Sequence, residues 1–294
     1  MKLGIVTPVV TRLPRAHAAW EERAGIDEIA RVAAEADRLG YHHLTCSEHV
    51  ALPRDVVDTR GGTYWDPLSV FGYLAARTST IRLATHVLVL GYHHPVAIAK
   101  RYGTLDRVSG GRLVLGVGVG SLREEFELLG AQFEGRGERG DDALRALRAS
   151  LSEREPSYRG AHYVFDGFVV EPCAVQPRVP IWVGGRTARS LRRAIELADG
   201  WAPFGMSRAE LGGMIARGRD TEAWASRVGA AGTPPFEVLL QNEHPFDPGT
   251  EPDRVRDAVG RLADAGATTI NVRFVHHSLD HYLEQLAAMR ELVA

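Results

Sequence analysis

Eight short runs rich in apolar and β-branched residues recur along the chain, and longer stretches with helical periodicity separate them. This alternation is typical of parallel βα units, because a parallel strand needs a crossover before its neighbour begins. The predicted strands are residues 3–8, 43–48, 81–90, 113–117, 181–183, 201–204, 237–240 and 269–274. Eight such strands predict a TIM (β/α)8 barrel, with a doubly wound open sheet as the alternative.

The stretches between these runs carry helix signals. The predicted helices are residues 26–39, 67–77, 95–108, 141–151, 188–198 and 253–265. Gly40 is a plausible C-cap for the first of them, and Pro67 and Pro95 stand where helices begin, since the first turn needs no N–H from them.

One segment breaks the rhythm, because residues 152–180 are too long and too polar for a simple loop. The dipeptide Asp166-Gly167 lies between apolar runs there, and it predicts a hairpin inserted between helix 4 and strand 5. We see no linker, so we expect a single domain over residues 1–294.

Composition excludes several classes. The formal net charge is −2 over 294 residues, which gives no electrostatic reason to expect nucleic acid or a membrane surface as a partner. There is no apolar run of membrane-spanning length and no signal-peptide pattern at the start, so we expect a cytoplasmic protein. Cys46 and Cys173 are too few for a disulfide framework and are interpreted as reduced thiols.

Polar residues at the carboxyl ends of barrel strands are the first candidates for chemistry. Strand 2 ends in Glu48-His49. A histidine there can exchange a proton near neutral pH, and an adjacent carboxylate can orient it; equally, His49 can serve only to hydrogen-bond a loop.

Two glycine-rich segments follow strands 4 and 5. In the first, Gly118 and Gly120 would let a flat ligand or a phosphate approach the backbone, or would simply allow tight packing. In the second, Gly184, Gly185, Arg186 and Thr187 open onto a predicted helix start, where backbone N–H groups and a guanidinium suit a phosphate. An ordinary glycine turn capped by Thr187 is the alternative.

Metal and nucleophile chemistry find little support. The histidine pairs 42–43, 93–94 and 276–277 are adjacent residues, and neighbours on a strand point to opposite faces. No HxH, HExxH or GxSxG pattern is present, so we predict no metal site and no seryl nucleophile.

Several segments together resemble the bacterial luciferase-like monooxygenase superfamily, and within it the branch of deazaflavin (coenzyme F420) dependent oxidoreductases. The similar segments span roughly the first 205 residues and are residues 40–49, 94–100, 105–112, 115–120, 123–126, 180–185 and 198–201. The resemblance implies a closed barrel with an insertion after strand 4.

The same resemblance implies a cofactor and places it. The flavin-type ring would lie against a strand 3 bulge with a non-prolyl cis peptide near His86-Val87, and the phosphate would bind at residues 184–187. His49 matches a histidine that lies beside the reacting carbon in F420-dependent relatives, which makes it the expected proton donor or acceptor, supported by Glu48. Ser121 stands where sugar-phosphate dehydrogenase relatives have glutamate, so that substrate class is not supported.

The leading hypothesis is therefore F420-dependent hydride transfer to or from a small organic substrate. The alternatives are an FMN-dependent monooxygenase that uses molecular oxygen and needs a flavin reductase partner, and a non-catalytic flavin-binding protein. A homodimer is a family expectation. The loops after strands 1, 2 and 7 are expected to shape the substrate pocket.

Overall fold

Eight parallel strands close into a barrel in the computed structural model, which describes residues 1–14 and 16–293. Each strand pairs with the next one in the chain, and the last strand pairs with the first. Closure confirms the TIM barrel and excludes the open sheet. The strands are β1 (Lys2–Ile5), β2 (His43–Cys46), β3 (Arg82–Thr85), β4 (Leu113–Gly118), β5 (Ile181–Gly184), β6 (Gly200–Ala202), β7 (Glu237–Gln241) and β8 (Thr269–Val272).

One principal helix follows each strand and packs outside the barrel. The eight are α1 (Ile26–Arg38), α2 (Pro67–Ala75), α3 (Pro95–Val108), α4 (Arg136–Arg148), α5 (Ala188–Leu197), α6 (Arg208–Arg219), α7 (Pro252–Asp264) and α8 (Leu279–Leu292). Within the described residues, three shorter α-helices lie in the connections: Val57–Arg60, Arg123–Leu128 and Glu222–Gly229.

The helix starts follow local chemistry. Pro67 occupies the first turn of α2, where Asp66 accepts the backbone N–H of Ser69 at 2.8 Å. Pro95 begins α3 in the same way, as predicted. The buried face of α1 is Ile29, Val32, Ala33 and Ala36, so helical periodicity locates the side that covers the barrel.

Strand 3 and the insertion differ from the prediction. Strand 3 is interrupted after Thr85 and pairs again with β4 only at Leu88–Val89. The hairpin of the insertion pairs Tyr158–Arg159 with Val164–Phe165, so its turn lies before Asp166-Gly167 rather than at it. Gly167 does adopt a positive φ of 75°, but the chain that follows it forms no strand. Asp166-Gly167 therefore marks a bend rather than a hairpin turn. The strand that pairs with Val164–Phe165 is Tyr158–Arg159, which is more polar than the apolar run after Gly167.

The interior of the barrel has its own small core. Apolar side chains from the five consecutive strands β3 to β7 meet there, namely Ala84, Val114, Trp182, Ala202 and Leu239. Beside them, His43 Nε2 lies 2.5 Å from Asn271 Oδ1, and its ring packs edge-on against Trp182 with centroids 5.0 Å apart. Gly4 leaves the space that the His43 ring occupies, because a Cβ at Gly4 would overlap that ring.

Both cysteines are free thiols. In the part of the chain that the structure describes, none of the helices is both long enough and apolar enough to cross a bilayer.

Candidate active site

His49 leaves the carboxyl end of β2 and meets a side chain from the loop after β4. Its Nδ1 lies 2.7 Å from Oε2 of Glu125, which belongs to the short helix Arg123–Leu128. The contact joins residues 76 positions apart and spans the end of β3, which lies between the two strands. The mouth of the barrel thus holds an imidazole–carboxylate pair.

The Glu125 carboxylate is fully buried and receives several hydrogen bonds. Oε1 accepts the backbone N–H groups of Val50 at 2.6 Å and Ala51 at 3.2 Å, and Oε2 also accepts the phenol of Tyr92 at 2.7 Å. Burial by itself would raise the pKa of Glu125, but the bonds from His49, Tyr92 and Ala51 outweigh it and leave the pKa lowered. Glu125 is therefore an ionised carboxylate at neutral pH.

Tyr92 completes this group as a donor. Burial, and then the neighbouring Glu125, raise the pKa of Tyr92 far above its ordinary value. The phenol therefore keeps its proton and donates a hydrogen bond to the carboxylate. Tyr64 packs edge-on against the His49 ring, with centroids 4.6 Å apart, and the partly buried Arg60 carries its charge close to both phenols.

Glu48 does not take the supporting role that the sequence suggested for it. Its Oε1 lies 2.7 Å from Nε2 of His93, and its Oε2 accepts the backbone N–H of Val89 at 2.7 Å. Consecutive residues leaving a strand point to opposite sides, so Glu48 and His49 face different neighbours. Glu125 is the carboxylate that contacts His49.

The segment after β3 contacts the residues that directly precede His49. The peptide bond between His86 and Val87 is cis, at the position that the resemblance implied. Ser47 donates a hydrogen bond from its hydroxyl to the carbonyl of His86 at 2.8 Å, and the Glu48 N–H donates to the carbonyl of Val87 at 3.3 Å. Burial lowers the pKa of the His86 imidazole to about 4, so this ring is neutral.

Two of the predicted glycines, Gly118 and Gly184, approach Val87. A Cβ at Gly118 or Gly184 would lie 2.8 or 2.7 Å from a Val87 methyl group, and one at Gly120 would collide with Val89 and Phe126. Contacts within the chain with Val87, Val89 and Phe126 therefore leave no room for a side chain at these three glycines. The structure brings Val87, Gly118 and Gly184 into one cluster at the mouth.

The segment after β5 forms a capped helix start. Gly185 has a φ of 128°, and the Thr187 hydroxyl accepts the N–H of Ser190 at 3.1 Å at the beginning of α5. Arg186 is exposed beside them. The N–H groups of Ala188 and Arg189, which begin α5, have no acceptor within the helix, so the geometry suits an anionic group.

Sequence reasoning missed Glu125, Tyr92 and Tyr64 as site residues. Glu125 lay within a segment that matched the family, but neither its spacing nor its residue type pointed to His49. Only the closed barrel brings the loops after β2, β3 and β4 together. Across residues 1–14 and 16–293, no three histidine, cysteine, aspartate or glutamate side chains are arranged to hold a metal ion.

Comparison with known proteins identifies the family. The family model described as luciferase-like monooxygenase matches residues 1–242, and the chain belongs to that family. An uncharacterized protein of Mycobacterium tuberculosis is 30% identical over 257 residues, which cover 83% of each chain.

Solved structures share the fold at low sequence identity. An F420-dependent secondary alcohol dehydrogenase, in complex with an F420-acetone adduct, superposes with a TM-score of 0.75 at 12% identity, covering 99% of this chain and 97% of its own. The oxygenating component of 3,6-diketocamphane monooxygenase from Pseudomonas putida, in complex with FMN, gives 0.74 at 17% identity, covering 100% and 98%. The family and these neighbours are oxidoreductases and monooxygenases.

Proposed function

We propose that the protein is a coenzyme F420-dependent oxidoreductase that transfers a hydride to or from a small organic substrate. The observation that carries the proposal is the position of His49, which lies at the mouth of the barrel next to the His86-Val87 segment. An imidazole exchanges protons near neutral pH, and a hydride transfer to a carbonyl needs one proton at the oxygen.

The residues at the mouth fit a flavin-type cofactor. His86 and Val87 would lie against its ring, with Gly118 and Gly120 beside them, and Gly184, Gly185, Arg186 and Thr187 would hold its phosphate. The exposed Arg186 and the first-turn N–H groups of α5 supply the positive charge that a phosphate requires. The neutral, half-buried His86 adds no charge beneath the ring.

The chemistry divides between cofactor and protein. When bound, reduced F420 supplies a hydride from its C5 to the carbonyl carbon of a substrate. His49 donates the proton that the carbonyl oxygen takes up, which gives an alcohol; in the opposite direction His49 accepts that proton. The loops around the mouth orient the substrate and exclude water.

The second candidate is an FMN-dependent monooxygenase, which would use molecular oxygen and a flavin reductase. The family description and the FMN-bound neighbour support it. The same mouth would hold FMN, since a ring site and a phosphate site serve both cofactors. A homodimer in the cytoplasm belongs to this proposal in either form.

A cofactor experiment separates the two. Purified protein is titrated with F420 and with FMN, each oxidised and reduced, while cofactor fluorescence is followed, and a panel of small alcohols, aldehydes and ketones is then screened for oxidation or reduction of the bound cofactor. We expect F420 to bind more tightly than FMN and to turn over with at least one substrate class. Preferential FMN binding with oxygen consumption would replace the first candidate by the second.

His49→Ala is the matched test of the assigned residue. Loss of a general acid or base lowers turnover by about 10²- to 10⁴-fold, and we expect this loss with F420 affinity changed less than about threefold. Turnover equal to that of the unchanged protein would refute the role of His49.

A further inference from the structure

The Glu125 carboxylate is surrounded by groups that act as hydrogen-bond donors. The N–H groups of Val50 and Ala51 can only donate, and Tyr92 retains its phenolic proton. Each of these donors points at an oxygen of a carboxylate that is itself fully buried. An ionised carboxylate accepts hydrogen bonds and cannot donate them.

The state of the His49 ring follows from this arrangement. Because Oε2 of Glu125 can only accept, the Nδ1 atom 2.7 Å away must carry the hydrogen. In the neutral ring the remaining nitrogen, Nε2, is then the unprotonated one. Among the residues that the structure describes, none forms a hydrogen bond with Nε2 of His49, and the side chain is 18% exposed.

We propose that Glu125 is a positioning residue that fixes the neutral His49 ring in its Nδ1–H form and directs Nε2 to the mouth as the atom that exchanges the substrate proton. The part about the substrate proton rests on the proposed function. The part about the ring does not. Glu125 and Tyr64 contact the His49 ring directly. Tyr92 bonds to the same oxygen of Glu125, and the charge of Arg60 acts on both tyrosines.

A purely structural role is the competing explanation, because Glu125 also anchors the backbone of Val50 and Ala51. Glu125→Gln distinguishes the two. The two N–H groups would hold the amide oxygen where Oε1 now lies, so the amide NH₂ would face Nδ1 of His49. A donor at that position favours the opposite tautomer, with Nδ1 unprotonated and Nε2–H. An anchor alone predicts no change of tautomer.

Nuclear magnetic resonance reads the tautomer without any cofactor. Long-range ¹H–¹⁵N correlation spectra of protein labelled with ¹⁵N-histidine, recorded at a pH high enough for a neutral imidazole, identify which ring nitrogen bears hydrogen. The His49 signals are those that His49→Ala removes. We expect Nδ1–H in the unchanged protein, Nε2–H in Glu125→Gln, and Nδ1–H in the control Glu124→Gln, whose side chain is exposed on the same short helix.

These spectra test the tautomer part of the proposal without any cofactor or substrate. Nε2–H in the unchanged protein, or an unaltered tautomer in a folded Glu125→Gln variant, would overturn it. If that variant does not fold, the spectrum of the unchanged protein and that of Tyr92→Phe still decide, since the carboxylate remains in both and Nδ1–H is expected in both.

Turnover gives the second readout. With F420 and an accepted substrate, we expect Glu125→Gln to lower kcat by about 10- to 100-fold with little change in KM, and to move the pH profile, whereas Glu124→Gln leaves both as they are. Equal kcat and pH profiles in Glu125→Gln and the unchanged protein would overturn the proton-exchange part. Failure of both F420 and FMN to support turnover would remove the proposed function and leave the tautomer result standing.

Discussion

The same chemical change, glycine to alanine, should have opposite effects at two positions. Gly4 on β1 faces the barrel interior, where an added Cβ would overlap the ring of His43. Gly72 lies in the middle of α2, and a Cβ there would meet nothing within 4 Å. The first change adds a methyl group to a filled interior, while the second replaces a poor helix former with the best one.

The magnitude at Gly4 follows from what His43 would have to give up. The ring is completely buried, contacts Trp182 and bonds to Asn271, so it cannot move into solvent. Overpacking costs about 1–3 kcal/mol, and separating the ring from Asn271 leaves buried polar atoms unpaired at about 1–3 kcal/mol. We expect Gly4→Ala to lower the free energy of unfolding by about 2–6 kcal/mol, and Gly72→Ala to raise it by up to about 1 kcal/mol.

Urea unfolding followed by circular dichroism measures both variants under one set of conditions, with the thermal midpoint as a second readout. A Gly4→Ala protein within about 0.5 kcal/mol of the unchanged protein would refute the interior packing described here. The double variant Gly4→Ala/His43→Ala provides the internal check, because removing the ring removes the overlap. The two changes should therefore cost less together than the sum of their separate costs.

Three further results are expected. Burial lowers the pKa of His276 to about 4 while its ring accepts the indole N–H of Trp20, so the unfolded chain binds more protons than the native chain between about pH 6.5 and 4. The free energy of unfolding should therefore fall by at most about 2 kcal/mol on acidification from pH 7 to 5, and solvent screening of the ring reduces this figure. The fall should be smaller in His276→Gln, and equal falls in the two proteins would contradict this expectation. Asp199→Ala removes the carboxylate that pairs with the mostly buried Arg148, and it should cost about 3–5 kcal/mol in urea unfolding, with a cost under 1 kcal/mol as the contrary result. Gly184→Ala should displace Val87 and weaken F420 binding, which cofactor fluorescence measures. An unchanged affinity for F420 would show that the contact between Gly184 and Val87 does not shape the cofactor site.

The fold was largely predictable because barrel strands are buried on both faces and stand out as apolar runs. All eight strands lie where those runs predict them, although several are shorter, such as β1, which ends at Ile5 rather than at residue 8. Helix α6 escaped prediction because Gly212 and Gly213 lie in its interior, although Ser207 and Glu210 form a capping box at its start. Helix α8 was also not predicted, and α4 begins at Arg136 rather than at residue 141. Local signals therefore locate some helix ends and miss others.

The candidate site was predictable only in part. His49 and the glycines stand at strand ends, where sequence order alone directs attention. The partner of His49 could not be deduced, because its contact with Glu125 depends on how three loops lie on a closed barrel. Glu48, next to His49 in the chain, was the natural guess, and the alternation of side chains after a strand made it wrong.

Glu125 holds the neighbouring loop through hydrogen bonds from the backbone N–H groups of Val50 and Ala51, and these bonds do not involve the side chains of either residue. Glu21 does the same for the loop after β1, where it accepts the N–H groups of Val9 and Ala18. Segments anchored through the main chain can exchange the side chains they present without losing their position. In a barrel organised in this way, loop residues can change while His49 and Glu125 keep their positions.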